Sequence, residues 1–255
     1  MHDNLIYNKS VVITGGNKGI GLEITKAFLG AGYWVVVGSR SGIPDELKSE
    51  KRIRSLNVDV CKEDSHRKLA EAAIELTGTL GAYINNVGLS AWRPLSSIDV
   101  DFLDVMLDVN LKSAFWGCKV ASEYLDDGGS IINISSLAGK RGSANNAAYV
   151  STKFGVNGLT QSLAKELGNR GIRVNALCPV LIKTEGLVEA LRGEFSPAAG
   201  RDPSEFIDSF KKANAALNRL PTGKEVADMC IILASDSASA ITGQCINIDC
   251  GVFPQ

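Results

Sequence analysis

Runs of apolar residues that end in glycine alternate along this chain with stretches whose apolar positions fall three and four apart. "SVVITGG" closes a β-branched run on two glycines, and "GIGLEITKAFLGAG" continues at helical spacing to a glycine stop, which predicts a first strand–turn–helix unit. The pattern recurs, with strands predicted at 34–39, 53–59, 82–88, 130–136 and 172–178, helices near 63–78, 99–125 and 149–169, and "CINIDCG" as a closing strand. The strands are apolar almost throughout, so both faces of the sheet must be covered. The expectation is an α/β fold over 1–255, a single doubly wound domain with a mostly parallel seven-stranded sheet and helices on both faces. The stretch at about 180–220 breaks the rhythm, mixing glycine, proline and charge with short helical patterns. Its place after the sixth strand suits a substrate lid, and a plain surface excursion would look the same.

Composition narrows the class. The chain has 255 residues, 45% of them hydrophobic, enough for one large core. A formal net charge of -1 and the absence of any long basic run exclude a nucleic-acid footprint. No stretch reaches the roughly 18–20 continuous apolar residues of a membrane span, and the start lacks the parts of a signal peptide, so a soluble cytoplasmic protein is expected. Six scattered cysteines with no CxxC pair read as reduced thiols. His2, at the terminus, and His66, in the polar helical stretch "KEDSHRKLAE", offer no basis for a metal site.

Candidate chemistry begins at "TGGNKGIG", Thr14 to Gly21. Gly15, Gly19 and Gly21, between a strand and a helix, allow a tight turn and a close approach of pyrophosphate to backbone N–H groups; Asn17, Lys18 and Ile20 complete the loop. No Lys-Ser/Thr follows a G-x-x-x-x-G frame, so this is not a Walker A loop. The second strand ends in "VVVGSRSG", with Ser39 and Arg40 where a ribose-binding carboxylate would favour NAD. Arg40 and Lys18 suit the 2'-phosphate of NADP, with Asp45 or Glu46 left as possible ribose ligands in the following turn.

"TGGNKGIG", "NNVG", "NISS" and "YVSTK", in this order and spacing, closely resemble the classical short-chain dehydrogenase/reductase family over essentially the whole chain, including members such as the 3-oxoacyl carrier-protein reductases. The resemblance implies a Rossmann fold and an NADP(H)-dependent exchange between a carbonyl and a secondary alcohol. It implies cofactor contacts from Thr14 and the glycine loop, from Asp59 with Val60, from Asn86 and Gly88, and from the segment Pro179 to Thr184, including Ile182. Asn85 matches the support of the central sheet, Asn110 the helix asparagine that holds a catalytic water, Ser136 the substrate-orienting serine, and Tyr149 and Lys153 the acid/base and its partner. Val180 and Val87 stand where the family usually has glycine and commonly alanine. The apolar content of 99–125, 149–169 and the C-terminal tail resembles the family's interfaces, implying a homotetramer or homodimer.

The chemistry fits the residue types. Tyrosine, with an ordinary pKa of about 10, needs help to exchange a proton near neutrality. Lys153 lies one helical turn beyond Tyr149, on the same face, where its ammonium favours the phenolate. By type alone each of the four residues has an ordinary reading, as a helix-face tyrosine, a solvated lysine, a turn hydroxyl and an internally satisfied asparagine. Trp92, Leu187, Leu191 and Phe195 fit an apolar substrate pocket or packing under a loop, while Asn146 is a candidate substrate contact. Lys140, Arg141 and Asn145 also lie between Ser136 and Tyr149, and the two cations suggest a polar or anionic substrate. Alternatives in view are a 3-oxoacyl carrier-protein reductase, an NAD-dependent polyol, sugar or hydroxysteroid dehydrogenase, and a catalytically silent nucleotide-binding protein.

Overall fold

The computed structural model describes residues 9–254, which places His2 outside the described residues. Strand β1 (Ser10–Thr14) leads through the glycine turn into α1 (Gly19–Gly30), followed by β2 (Trp34–Ser39), β3 (Ile53–Asn57) and α2 (Glu63–Thr77). Next come β4 (Leu80–Asn85) and a long helix of three parts: α3 (Val100–Leu107), a π turn (Asp108–Lys112) and α4 (Ser113–Tyr124). The chain continues through β5 (Ser130–Ile134), α5 (Ala147–Glu166), β6 (Arg173–Pro179), α6 (Glu185–Leu191), α7 (Pro203–Asn214), α8 (Gly223–Ala234) and β7 (Cys245–Ile248).

The seven strands run in the order β3-β2-β1-β4-β5-β6-β7, and each neighbouring pair is parallel. Successive residues of β1 face opposite layers. Val11 and Ile13 pack with Ile24 and Phe28 of α1 and with Val226, Cys230 and Leu233 of α8. Val12 packs with Leu69 and Ala73 of α2, Cys118 and Ala121 of α4 and Ala164 of α5. This double cover is why the strands read as unbroken apolar runs. Strand order reverses direction between β1 and β4, and the crevice beyond their carboxyl ends is where an open parallel sheet takes a ligand.

Several expectations change in detail. The helix predicted over 99–125 is interrupted by the π turn, and the excursion at 180–220 contains α6 and α7. Helix α8, absent from the sequence reading, begins with a capping box in which Thr222 and Glu225 satisfy each other's backbone N–H groups. His66, within a polar helical stretch, is fully buried because it falls on the same face of α2 as Leu69, Ala70 and Ala73. Its Nδ1 lies 2.7 Å from the Tyr83 hydroxyl and its Nε2 lies 2.8 Å from the Val60 carbonyl. The carbonyl can only accept, so Nε2 carries the proton and Nδ1 accepts from Tyr83. Burial holds this imidazole below its ordinary pKa, against the Val60 hydrogen bond and the charge of Glu63. All six cysteines are free thiols. No helix among the described residues is long and apolar enough to cross a membrane, and no group of metal-ligating side chains is present among them.

Candidate active site

A cleft of about 1380 Å³ opens over the carboxyl ends of the strands, larger than the ~300–1,000 Å³ of a typical small-molecule site. The glycine turn forms one end. Gly15 takes a φ of 65° and its N–H donates to the Gly38 carbonyl at 2.7 Å, tying the turn to β2. A Cβ on Gly21 would overlap the Gly15 carbonyl and come within 2.6 Å of Asn86 Nδ2, so the first turn of α1 rests directly on the loop backbone. Asn86 locks the loop to β4 by donating from Nδ2 to the carbonyls of Thr14 at 2.9 Å and Gly15 at 3.3 Å.

Thr14, expected to touch a cofactor, is buried beneath the loop instead, because its hydroxyl is occupied in joining β1 to β4. That oxygen accepts from the N–H groups of Asn86 at 2.9 Å and Val87 at 3.3 Å. Asn17, Lys18, Gly19, Ile20 and Gly21 all line the cleft. Asn17 also donates to Ser41 Oγ at 3.0 Å, bracing the loop against the exit from β2.

At that exit Ser39 and Arg40 line the cleft with Asp59, Val60 and Cys61. Ser39 Oγ is buried with no hydrogen-bond partner, and neither Arg40 nor Lys18 makes an ion pair among the described residues. The alternative ribose ligands are engaged elsewhere: Asp45 pairs with Lys48 at 2.6 Å and Glu46 with Lys26 at 2.7 Å, and neither lines the cleft. Asp59 lies beyond the end of β3, where its Oδ1 accepts from the Cys61 N–H at 3.1 Å.

The other candidate residues converge at the middle of the cleft. Ser136 follows β5 in an extended conformation, and its hydroxyl caps the short turn Leu137–Gly139 by accepting from the Ala138 N–H at 3.1 Å. Tyr149 and Lys153 project from α5 into the cleft. Burial raises the Tyr149 pKa, a hydrogen bond with Ser136 draws it back, and the Cys178 thiol beyond adds to the rise. Lys153 is 3% exposed, with Nζ 5.7 Å from the centre of the Tyr149 ring and donating to the Ile134 carbonyl at 3.0 Å. Burial brings its ammonium down to about 8, partly offset by Cys178. No carboxylate pairs with it among the described residues. Gly88 leaves the room this needs, since a Cβ there would sit 3.4 Å from Lys153 Nζ and 3.3 Å from Asn110 Oδ1.

Asn110 lies in the π turn, buried behind the cleft wall rather than on it. Both ends of its amide are taken by Leu89, the Oδ1 accepting from the Leu89 N–H at 2.7 Å and the Nδ2 donating to the Leu89 carbonyl at 2.9 Å. The π turn that carries Asn110 is a local break in the helical hydrogen-bond ladder.

Pro179, Val180, Ile182 and Thr184 run along the cleft after β6. Thr184 caps α6 and lies against the glycine turn, its Cγ2 3.4 Å from where a Cβ of Gly19 would be. The far end is walled by Trp92, Leu181, Leu187 and Phe195, together with Phe206 and Phe210 of α7. The two α7 phenylalanines were missed in the sequence, although their i,i+4 spacing in "EFIDSF" marks one helix face. Leu191 is instead a core residue of the α6–α7 cluster, on which Trp92 and Leu187 also pack. Asn146 lines the cleft with Nδ2 donating to Ser143 Oγ at 3.1 Å. Arg141 lines it as well, whereas Lys140 does not.

Asn85 is structural. Its Nδ2 donates to Asn133 Oδ1 at 2.9 Å, and Asn133 donates onward to Thr160 at 2.9 Å, so a buried polar chain joins β4, β5 and α5. A Cβ on Gly117 would overlap the Asn85 amide, which allows α4 to lie close against β4.

Comparison with known proteins agrees with this architecture. A family model described as Enoyl-(Acyl carrier protein) reductase matches residues 15–253. The oxidoreductase YxbG of Bacillus subtilis is 31% identical over 97% of this chain and 92% of its own length. A 3-oxoacyl-[acyl-carrier-protein] reductase of Staphylococcus epidermidis is 32% identical over 96% of this chain and 99% of its own. The ligand-free aldohexose dehydrogenase of Thermoplasma acidophilum superposes with a TM-score of 0.85 at 28% identity, covering 98% of each chain. With the parallel sheet, the glycine turn and the Ser-Tyr-Lys cluster already in place, these likenesses establish that the chain belongs to the classical short-chain dehydrogenase/reductase family of oxidoreductases.

Proposed function

We propose that the protein interconverts a carbonyl and a secondary alcohol with NADP(H), using Tyr149 as the acid/base. One observation carries the reading: a buried ammonium, Lys153, faces the Tyr149 ring with no carboxylate paired to it among the described residues. An unpaired buried cation is costly, and structural lysines are normally paired or solvated. Here the charge has work to do on a neighbouring phenol. A raised Tyr149 pKa keeps the phenol protonated at neutral pH, as a proton donor to a carbonyl oxygen must be. Ser136 orients that oxygen, and Lys153 favours the phenolate once the proton has left. In this reading Asn110, in the π turn, anchors the water that links Lys153 to solvent.

A nicotinamide held in the cleft would supply the hydride, or take it up in the reverse direction. Ser39, Arg40 and Lys18 would hold the cofactor's adenosine end, an unpartnered hydroxyl and two cations that make no ion pair among the described residues, which favours the 2'-phosphate form. Helices α6 and α7 act as the substrate lid. Exposed Leu103, Val105, Phe115 and Phe154 on α3, α4 and α5 support a homodimer or homotetramer built on these helices.

Two further readings have specific support. Relatives named as 3-oxoacyl-[acyl-carrier-protein] reductases favour an acyl thioester substrate, and the aldohexose dehydrogenase likeness favours a sugar. Steady-state assays of ketones, sugars and acyl thioesters with NADPH and NADH decide among them. NADPH is expected to be preferred by tenfold or more, and the preference falls by about tenfold to a hundredfold in Arg40→Ala, the loss of one charge-assisted contact. Equal or better use of NADH by the unaltered protein refutes the NADP assignment. Tyr149→Phe is expected to lower kcat by about a hundredfold or more, and undiminished turnover removes Tyr149 as the proton donor.

A further inference from the structure

We propose that Arg141 is the substrate anchor, and that the substrate is an oxo acid whose carboxylate it holds. The proposal rests on the carbonyl-reducing reading of the same cleft. Arg141 follows Ser136 by five residues and lines the cleft with Ser136 and Tyr149. It is half-buried, and among the described residues its guanidinium makes neither an ion pair nor a side-chain hydrogen bond.

It is nevertheless held in place. The guanidinium carbon lies 5.5 Å from the centre of the Phe253 ring. Phe253 is itself fixed, its N–H donating to Asp249 Oδ2 at 2.9 Å and its carbonyl accepting from Asn247 Nδ2 at 2.9 Å. Its ring packs on the cluster of Leu137, Ala215 and Val252. A cation–π contact at this distance restrains the guanidinium without using any of its N–H donors, which stay available to a ligand.

The surroundings select the ligand. Among the described residues three carboxylates line the cleft, and they come from other elements: Glu23 in α1, Asp59 after β3 and Glu185 at the start of α6. None forms an ion pair with Arg141. Leu181, Phe206 and Phe210 wall this end of the cleft, and such apolar walls strengthen any ion pair formed there. One planar fork matches the two oxygens of a single carboxylate. The carboxylate is held rather than transformed, and the reacting carbonyl lies elsewhere in the same molecule.

Matched pairs test this directly: acetoacetate and levulinate against their methyl esters, assayed with NADPH in the unaltered protein, Arg141→Ala and Arg141→Lys. At least one acid is expected to be preferred over its ester by about tenfold to a hundredfold in kcat/KM, mostly through KM. Arg141→Ala should bring the ratio close to one, and Arg141→Lys should restore part of it. An ester preferred by the unaltered protein, or an acid preference that survives Arg141→Ala, overturns the proposal. If no ketone is reduced the carbonyl-reducing reading fails separately, and titration calorimetry with 3-hydroxybutyrate on the NADP-loaded protein then decides. Binding abolished by Arg141→Ala upholds the anchor, and binding that is absent or unaffected refutes it.

Discussion

Replacing Lys153 with methionine separates what the site does for chemistry from what it costs the fold. An ordinary lysine titrates near 10.5 and this one near 8, so holding its buried ammonium at neutral pH disfavours folding by about 3 kcal/mol. Methionine fills similar space without the charge, and it forfeits the hydrogen bond to the Ile134 carbonyl, a loss of about 1–3 kcal/mol. Lys153→Met should therefore match or exceed the stability of the unaltered protein at neutral pH while losing activity. The pH dependence is the sharper signature. Because the folded-state pKa is lowered, the penalty is complete below about 8 and recedes as pH rises toward the unfolded value of 10.5. Urea unfolding of both cofactor-free proteins at about pH 7 and about pH 9.5 should show the unaltered protein gaining about 2 kcal/mol relative to the variant. A difference that stays constant across that range refutes the picture of Lys153 as a buried, unpaired ammonium.

Two other substitutions probe the frame around the site. In Gly21→Ala the added methyl meets the Gly15 carbonyl and the Asn86 amide, and forcing the helix off the loop should cost about 1–3 kcal/mol in thermal unfolding and weaken cofactor binding measured by fluorescence titration; unchanged affinity would mean the loop and helix need not touch. His66→Leu should strand the Tyr83 hydroxyl and Val60 carbonyl, destabilising by about 1–3 kcal/mol for each group left unpaired. Since burial lowers the His66 pKa, its stabilising contribution is present above the ordinary value near 6.5 and declines as pH falls below it, so the variant should show a flatter acid limb of stability. An identical acid limb in both proteins would show that His66 binds its proton equally well folded and unfolded, refuting the lowered pKa.

The sequence carried the sheet well because parallel strands covered on both faces are written as apolar runs with glycine stops. The predicted bounds of β2, 34–39, are those observed. The convergence of Ser136, Tyr149 and Lys153 was legible from spacing and family motif, since a strand end and one helical turn leave little freedom in placing them. Other features depend on contacts between distant segments. Thr14 carries the same hydroxyl whether it faces a cofactor or bridges β1 to β4, and only the neighbouring Asn86 N–H settles which. The π turn has no apolar signature, so 99–125 reads as one helix. His66 and α8 were readable and were passed over: His66 is in phase with Leu69, Ala70 and Ala73, and "TGKE" before an apolar run is a helix-start signal.

The two close contacts of the long helix, one with the end of β4 and one with the loop that follows it, fix a length. Asn110 grips the backbone of Leu89, and Gly117 lies against Asn85 through the space its missing side chain leaves. Each added or removed helical residue turns everything beyond it by about 100°. A single insertion or deletion between these grips would swing one of them away from the sheet. The chain from Asn110 to Gly117 thus behaves as a ruler with two fixed marks, whose tolerance to change is governed by residue count before residue identity.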